Sequence, residues 1–202
     1  MQQRARVLTD PPVRVRLVRR GFIERQGTAI VAASASVTLI EASDRLTIVD
    51  TGSPRECDDL LFALKAIQVE AKDVDIVVNT HLHIDHCGCN ELFENAVVYA
   101  HQLESPPIGN LRICGSMILF PGVEVVHTPG HTAGSVTVFV RAEKRYAICG
   151  DAIPTKANYD SHVPPFIAID KNLATKSMDA IIASADTIIP GHDAPFDIQG
   201  KK

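Results

Sequence analysis

Thr80-His81-Leu82-His83-Ile84-Asp85-His86 places three histidines and a carboxylate within seven residues, directly after the apolar run Val74 to Val78. Neutral imidazole nitrogens and carboxylate oxygens suit Zn²⁺ or a related divalent ion, and such a cluster serves no ordinary packing purpose. Three more ligand-type residues follow. His131 stands in Thr128-Pro129-Gly130-His131-Thr132 after the apolar run Val123 to Val126, and Asp151 in Cys149-Gly150-Asp151-Ala152 after Tyr146 to Cys149. His192 stands in Pro190-Gly191-His192-Asp193 after Thr187 to Ile189. Turns held by rigid strands are where chemistry is usually placed. The chain therefore delivers metal-ligating groups, one exit after another, to what reads as one sheet edge.

The elements that must position these groups are read from periodicity. Strands are expected at Val13 to Val18, Ala29 to Ile40, Leu46 to Val49, Val74 to Val78, Val97 to Ala100, Val123 to Val126, Val136 to Val140, Tyr146 to Cys149 and Thr187 to Ile189. One helix is expected from Pro54 to Ile67, with Ser53 as N-cap and Leu60, Leu61 and Leu64 on its apolar face, and a second from Asn172 to Ala183. Mixed strands and helices without repeats point to α+β or α/β layers.

In their order, Asp50-Thr51-Gly52, the HxHxDH run from His81 to His86, His131, Asp151 and His192 resemble the five motifs of the metallo-β-lactamase superfamily over most of the chain. The resemblance implies an α+β fold of the four-layer αββα sandwich type, with a dinuclear metal site where the two sheets meet. It implies that His81, His83 and His131 hold one ion, that Asp85, His86 and His192 hold the other, and that Asp151 bridges them. Asp50 would orient ligands through hydrogen bonds. Asp85 and Asp151 would be the carboxylates at the reacting centre. The implied cofactors are two divalent ions, zinc first, with iron or manganese as alternatives. Two such ions acidify a shared water from a pKa of about 16 toward neutrality, so that hydroxide becomes the nucleophile and no serine or cysteine nucleophile is needed.

The implied substrates are small esters, lactones or phosphoesters. Leu82 to Asn90, His127 to Gly134 and Gly150 to Tyr159 resemble the acyl-homoserine lactonase group, with Pro154 where that group carries tyrosine. The ending Gly191-His192-Asp193-Ala194-Pro195-Phe196 resembles the small metallo-β-lactamase-domain-containing proteins. Two alternatives stay open. One is a phosphodiesterase or nuclease acting on RNA or DNA; the other is a mononuclear iron persulfide dioxygenase, which shares the HxHxDH framework.

A chain of 202 residues, 46% hydrophobic, has enough material for one sizeable core, so a single domain spanning 1–202 is expected, with Met1 to Pro12 as a loose tail. A net charge of −4 argues against an extensive nucleic-acid surface. The early arginines read as the solvated face of a half-buried strand, in which Val13, Val15 and Leu17 alternate with Arg14 and Arg16. No apolar stretch is long enough to span a bilayer and the first residues lack a signal-peptide core, so a cytoplasmic protein is expected; a homodimer is left open. Cys57, Cys87, Cys89, Cys114 and Cys149 form an odd set with no disulfide pattern, and Cys87 and Cys89 read as packing residues beside the ligand loop. His101 and His127 read as ordinary hydrogen-bonded side chains near strand ends. The Pro-rich stretch Pro154 to Phe166 reads as a long loop that is a candidate to cover the site, with Tyr159 and His162 as candidate substrate contacts beside the commoner reading of exposed loop residues.

Overall fold

The computed structural model describes residues 13–42, 45–104 and 111–200; the expected tail Met1 to Pro12 lies outside them. The elements run β1 (Arg14–Arg19), β2 (Phe22–Gln26), β3 (Ala29–Ser34), β4 (Val37–Ala42), β5 (Arg45–Val49), α1 (Cys57–Ala66), β6 (Ile76–Val78), α2 (Ile84–Cys87) and β7 (Val97–His101). Then follow β8 (Leu111–Cys114), β9 (Met117–Phe120), β10 (Val123–His127), β11 (Val136–Arg141), β12 (Arg145–Gly150), α3 (Lys156–Ser161), α4 (Lys171–Ser184), β13 (Thr187–Pro190) and β14 (Phe196–Asp197).

Two six-stranded sheets carry the fold, one in the order β1-β4-β5-β6-β7-β8 and the other β14-β13-β12-β11-β10-β9. Pairing is parallel from β5 through β8 and between β12 and β13. Several of these strands are buried on both faces, which is why they read as continuous apolar runs. Alternation still decides where each side chain goes. Ile40, Val49, Val78, Ile148 and Ile189 point into a core between the sheets, together with Val125 and Val138. Their neighbours Leu39, Ile48 and Val77 point outward beneath Leu60 and Leu64 of α1. Ala147, Cys149 and Ile188 point the other way, beneath Met178 and Ile181 of α4. The layers are thus helix, sheet, sheet and helix, the four-layer sandwich. Each fully buried Leu, Ile or Met stabilises this packing by roughly 1.5–3 kcal/mol.

Local structure departs from the sequence reading in several places. The expected strand from Ala29 to Ile40 is two strands, because Ala35 and Ser36 leave the β2–β3 hairpin and donate their N–H groups to the carbonyls of Asp85 (2.8 Å) and Gly191 (2.6 Å). The helix expected from Pro54 begins as a 3₁₀ turn, Pro54–Glu56, and Ser53 makes no side-chain cap. Within the stretch from Pro154 to Phe166, Thr155 caps α3 by accepting from the Asn158 N–H, so a helix occupies much of what reads as loop. The cysteine reading is corrected outright: Cys57 and Cys89 form a disulfide between the start of α1 and the turn after α2. Their 32-residue separation is no motif, and only the docking of α1 against the ligand loop brings their Cα atoms to 5.5 Å. Cys87, Cys114 and Cys149 are buried thiols. Arg14 and Arg16 lie on the outer face of β1 as expected, Arg16 paired with Glu41. No helix among the described residues is long and apolar enough to cross a membrane.

Candidate metal centre

The seven ligand-type residues meet at one end of the two sheets. β6 ends in the loop carrying His81 and His83, and α2 turns Asp85 and His86 back toward it. From the facing sheet, β10 leads to His131, β12 to Asp151 and β13 to His192. Three overlapping groups of these side chains converge, namely His81, His83 and His131; His81, His86 and Asp151; and Asp85, His86 and His192.

In the first group, His81 Nε2 stands 3.0 Å from His83 Nδ1, His131 Nε2 stands 3.1 Å from His81 Nε2, and His131 Nε2 stands 3.0 Å from His83 Nδ1. Three nitrogens bound to one tetrahedral Zn²⁺ at about 2.0–2.1 Å lie about 3.3–3.4 Å apart, so the triangle is within a few tenths of an ångström of that size. In the last group, His86 Nε2 and His192 Nε2 are 3.3 Å apart, and Asp85 Oδ2 is 3.6 Å from His192 Nε2. Asp151 lies between the two. Its Oδ1 faces His192 Nε2 at 3.1 Å and His86 Nε2 at 3.4 Å, while its Oδ2 faces His131 Nε2 at 3.5 Å. Asp151 Oδ1 is buried yet makes no hydrogen bond, a costly arrangement that a cation would relieve. Gly191 permits this approach, since a Cβ there would sit 2.3 Å from Asp151 Oδ1.

The imidazoles are held from behind. His86 Nδ1 donates to Asp50 Oδ2 (2.8 Å), His131 Nδ1 to the Ile167 carbonyl (2.7 Å) and His192 Nδ1 to the Ser34 carbonyl (2.9 Å). Fixing the proton on the outer nitrogen leaves the Nε2 lone pairs of these rings pointing at one another, as metal ligation requires. Asp50 does more. Held at φ 55, it accepts from the Thr80 N–H and the Thr80 hydroxyl, both at 2.7 Å, and so ties the start of the ligand loop to His86. Beneath them Asn79 and Asn90 exchange amide hydrogen bonds of 3.1 and 2.8 Å.

Burial gives these groups unusual proton affinities. Desolvation, helped by the neighbouring histidines, holds His81 well below its ordinary range, and half-exposed His83 is lowered for the same reason. Burial also disfavours charge on His86, but Asp50 and Asp151 outweigh it and hold His86 well above its usual value. Asp151 is likewise pushed up by burial and pulled further down by His192 and His86, so that it stays ionised. His83 is the exposed member of the set, and with Asp85 it marks the open side. Cys87, whose thiol is pushed up to about 11 by burial, is no competing ligand.

Tyr159 and His162 have other partners. The Tyr159 ring packs on Phe196 with 4.9 Å between centroids, and His162, at the end of α3, pairs with Asp179 at 3.1 Å. His101 and His127 stack on each other at 4.0 Å. Thr80 stands in the motif with no role readable from sequence, and the carbonyls of Ser34 and Ile167 and the Glu104 carboxylate carried no sequence signal. Glu104 accepts from the Leu82 N–H and lies 22 residues further along the chain, with no motif around it.

A family model described as the metallo-beta-lactamase superfamily matches residues 31–112 and 115–192. A protein of Methanocaldococcus jannaschii named a probable metallo-hydrolase is 33% identical over 90% of this chain and 87% of its own. Metallo-beta-lactamase domain-containing protein 1 of Xenopus laevis is 34% identical over 92% of this chain and 82% of its own. An N-acyl homoserine lactonase from a Bacillus species is 27% identical, covering 77% and 79%. Among solved structures, a Bacillus thuringiensis protein with N-decanoyl-L-homoserine bound at its active site superposes with a TM-score of 0.73 at 22% identity, over 92% of this chain and 94% of that one. Fold, motif order and converging histidine and aspartate groups agree with these matches: the chain belongs to the metallo-beta-lactamase superfamily.

Proposed function

We propose that this protein is a dinuclear, metal-dependent hydrolase of small carboxylic esters or lactones. The observation that carries the reading is Asp151, a largely buried carboxylate whose Oδ1 faces His192 and His86 and whose Oδ2 faces His131. His81, His83 and His131 would hold one ion, Asp85, His86 and His192 the other, and Asp151 both. When bound, the ions supply a Lewis acid for the scissile carbonyl and make water acidic enough to act as nucleophile near neutral pH.

The chain's own residues do the rest. Asp50, Ser34 and Ile167 hold three imidazoles in the tautomer that presents Nε2 inward. Asp85, with its side chain 23% exposed against 13% for Asp151, stands on the open side, placed to pass a proton toward a leaving oxygen. Ile84 at 64% exposure, between His83 and Asp85, and Ile169 at 66%, whose N–H bonds the His131 carbonyl, put apolar surface beside the site. That surface suits a small substrate with an apolar part better than a phosphodiester backbone, which calls for a basic track. The named lactonase relative supports the same choice.

The test is elemental analysis of metal per chain, paired with turnover of lactone, ester, thioester and phosphodiester reporters. Two zinc ions with lactone or ester turnover at least tenfold above the phosphodiester support the reading. A phosphodiester preference would move the protein to the phosphodiesterase or nuclease class, and one iron with oxygen consumption on a persulfide to the dioxygenases.

A further inference from the structure

We infer that Glu104 is the positioning residue for the tri-histidine half of the site, setting the distance between the loop that bears His81 and His83 and the loop that bears His131. This rests on the reading above that these three histidines hold one ion.

His131 is 50 residues from His81 and 48 from His83, so no local structure fixes their mutual position. The roots of the two loops are joined by the Val136 N–H, which donates to the Thr80 carbonyl at 2.8 Å. Further out, the only bridge the described residues show is the Glu104 carboxylate. Its Oε2 accepts from the N–H of Leu82, between His81 and His83, at 3.0 Å. Its Oε1 accepts from the Thr132 hydroxyl at 2.5 Å and the Gly134 N–H at 3.0 Å, on the other loop. The turn after β7 aims the side chain, with the Glu104 N–H bonded to the His101 carbonyl at 3.0 Å.

The neighbourhood is shaped for this one group. A Cβ on Gly134 would stand 2.8 Å from Glu104 Cγ and Oε1, so the glycine makes room for the bridge. All three partners are donors, one on one loop and two on the other. Only a side chain that accepts at both ends serves them. Glutamine would turn an NH₂ toward one loop or the other, and aspartate is a methylene short. Asp50 does the corresponding work for His86 and, among the described residues, its carboxylate bonds Thr80 and His86 and not the His131 loop.

The experiment uses the full chain and Zn²⁺ or Co²⁺ alone, with wild type, Glu104→Ala, Glu104→Gln, His131→Ala and Asp50→Ala compared by metal titration against a competing chelator and by elemental analysis after dialysis. Glu104→Ala is expected to weaken one ion by about 10- to 100-fold and leave the other within about threefold. Its Co²⁺ absorption should lose the same component as His131→Ala, while Asp50→Ala loses the other. Glu104→Gln, which keeps shape and one accepting oxygen, should fall between, and it carries the test if the alanine variant does not fold. Both ions held at wild-type affinity in the Glu104 variants, or both weakened alike, would overturn the inference. A wild type that takes up no divalent metal would instead overturn the reading of the site itself.

Discussion

The two sheets contribute to the site in opposite ways. The first delivers four ligand-type residues, His81, His83, Asp85 and His86, from one exit, the end of β6 and the short helix that follows. The second delivers three, one each from the exits of β10, β12 and β13. A single loop can set four side chains by its own turns, whereas three separate exits must be set by the register of a sheet. The first half is therefore local in sequence and the second depends on long-range packing. The restraints do not follow the same division: Asp50 and the Ile167 carbonyl each reach a ring 36 residues away, and the Ser34 carbonyl steadies His192 from 158 residues away.

The most damaging way to break this comparison is at Asp151, whose two oxygens face histidines of both halves and which is proposed to hold both ions. Asp151→Ala should lower hydrolysis by on the order of 10³-fold and leave fewer than two ions per chain, as measured by reporter turnover and elemental analysis. Asp50→Asn is expected to lower metal affinity by about 10- to 100-fold on the His86 side alone, read by chelator competition. Gly191→Ala drives a Cβ onto Asp151 Oδ1 at 2.3 Å, while Gly115→Ala meets nothing within 4 Å. The first should lose metal and the second should not, a pair that separates site geometry from general stability.

Acid should divide the halves again. An imidazole whose proton affinity is low stays neutral to lower pH and keeps its ion; one whose affinity is raised takes a proton sooner. Because His81 and His83 are lowered and His86 is raised, the Asp85–His86–His192 side should release its ion at higher pH than the tri-histidine side. A Co²⁺-loaded sample titrated from neutral pH downward shows the order through two spectral steps, and simultaneous loss would defeat the prediction. The smallest effect on chemistry is expected from reducing Cys57–Cys89. Opening a loop of 32 residues costs about 3–4 kcal/mol by chain entropy, and Tm should drop by on the order of 10 °C while metal per chain holds.

The legibility of the molecule follows the same local and long-range division. His81 to His86 announces itself because its residues are adjacent, and the three later ligands are visible because each follows an apolar run that ends in a glycine turn or beside one. The layer order is readable from runs such as Ile76 to Val78, whose alternate members enter two different cores. What stays hidden depends on contacts that only the fold creates. The break at Ala35 and Ser36 has no turn chemistry in its sequence; it exists because two backbone carbonyls, of Asp85 in α2 and of Gly191 after β13, dock there. Glu104 and the Cys57–Cys89 pair are silent for the same reason. Tyr159 reads as a candidate substrate contact from its place after Asp151, and what its sequence does not reveal is that its ring packs on Phe196.

His86 and His192 are 106 residues apart yet their inward nitrogens stand 3.3 Å from each other. During synthesis this pairing must wait until β13 has been made and laid beside β12; before then His86 has Asp50, Thr80 and Asp151 within reach but not His192. On the two-ion reading proposed above, a chain that stalls before its last strands lacks His192 and would hold at most the tri-histidine ion, so uptake of the second ion would report completion of the sandwich.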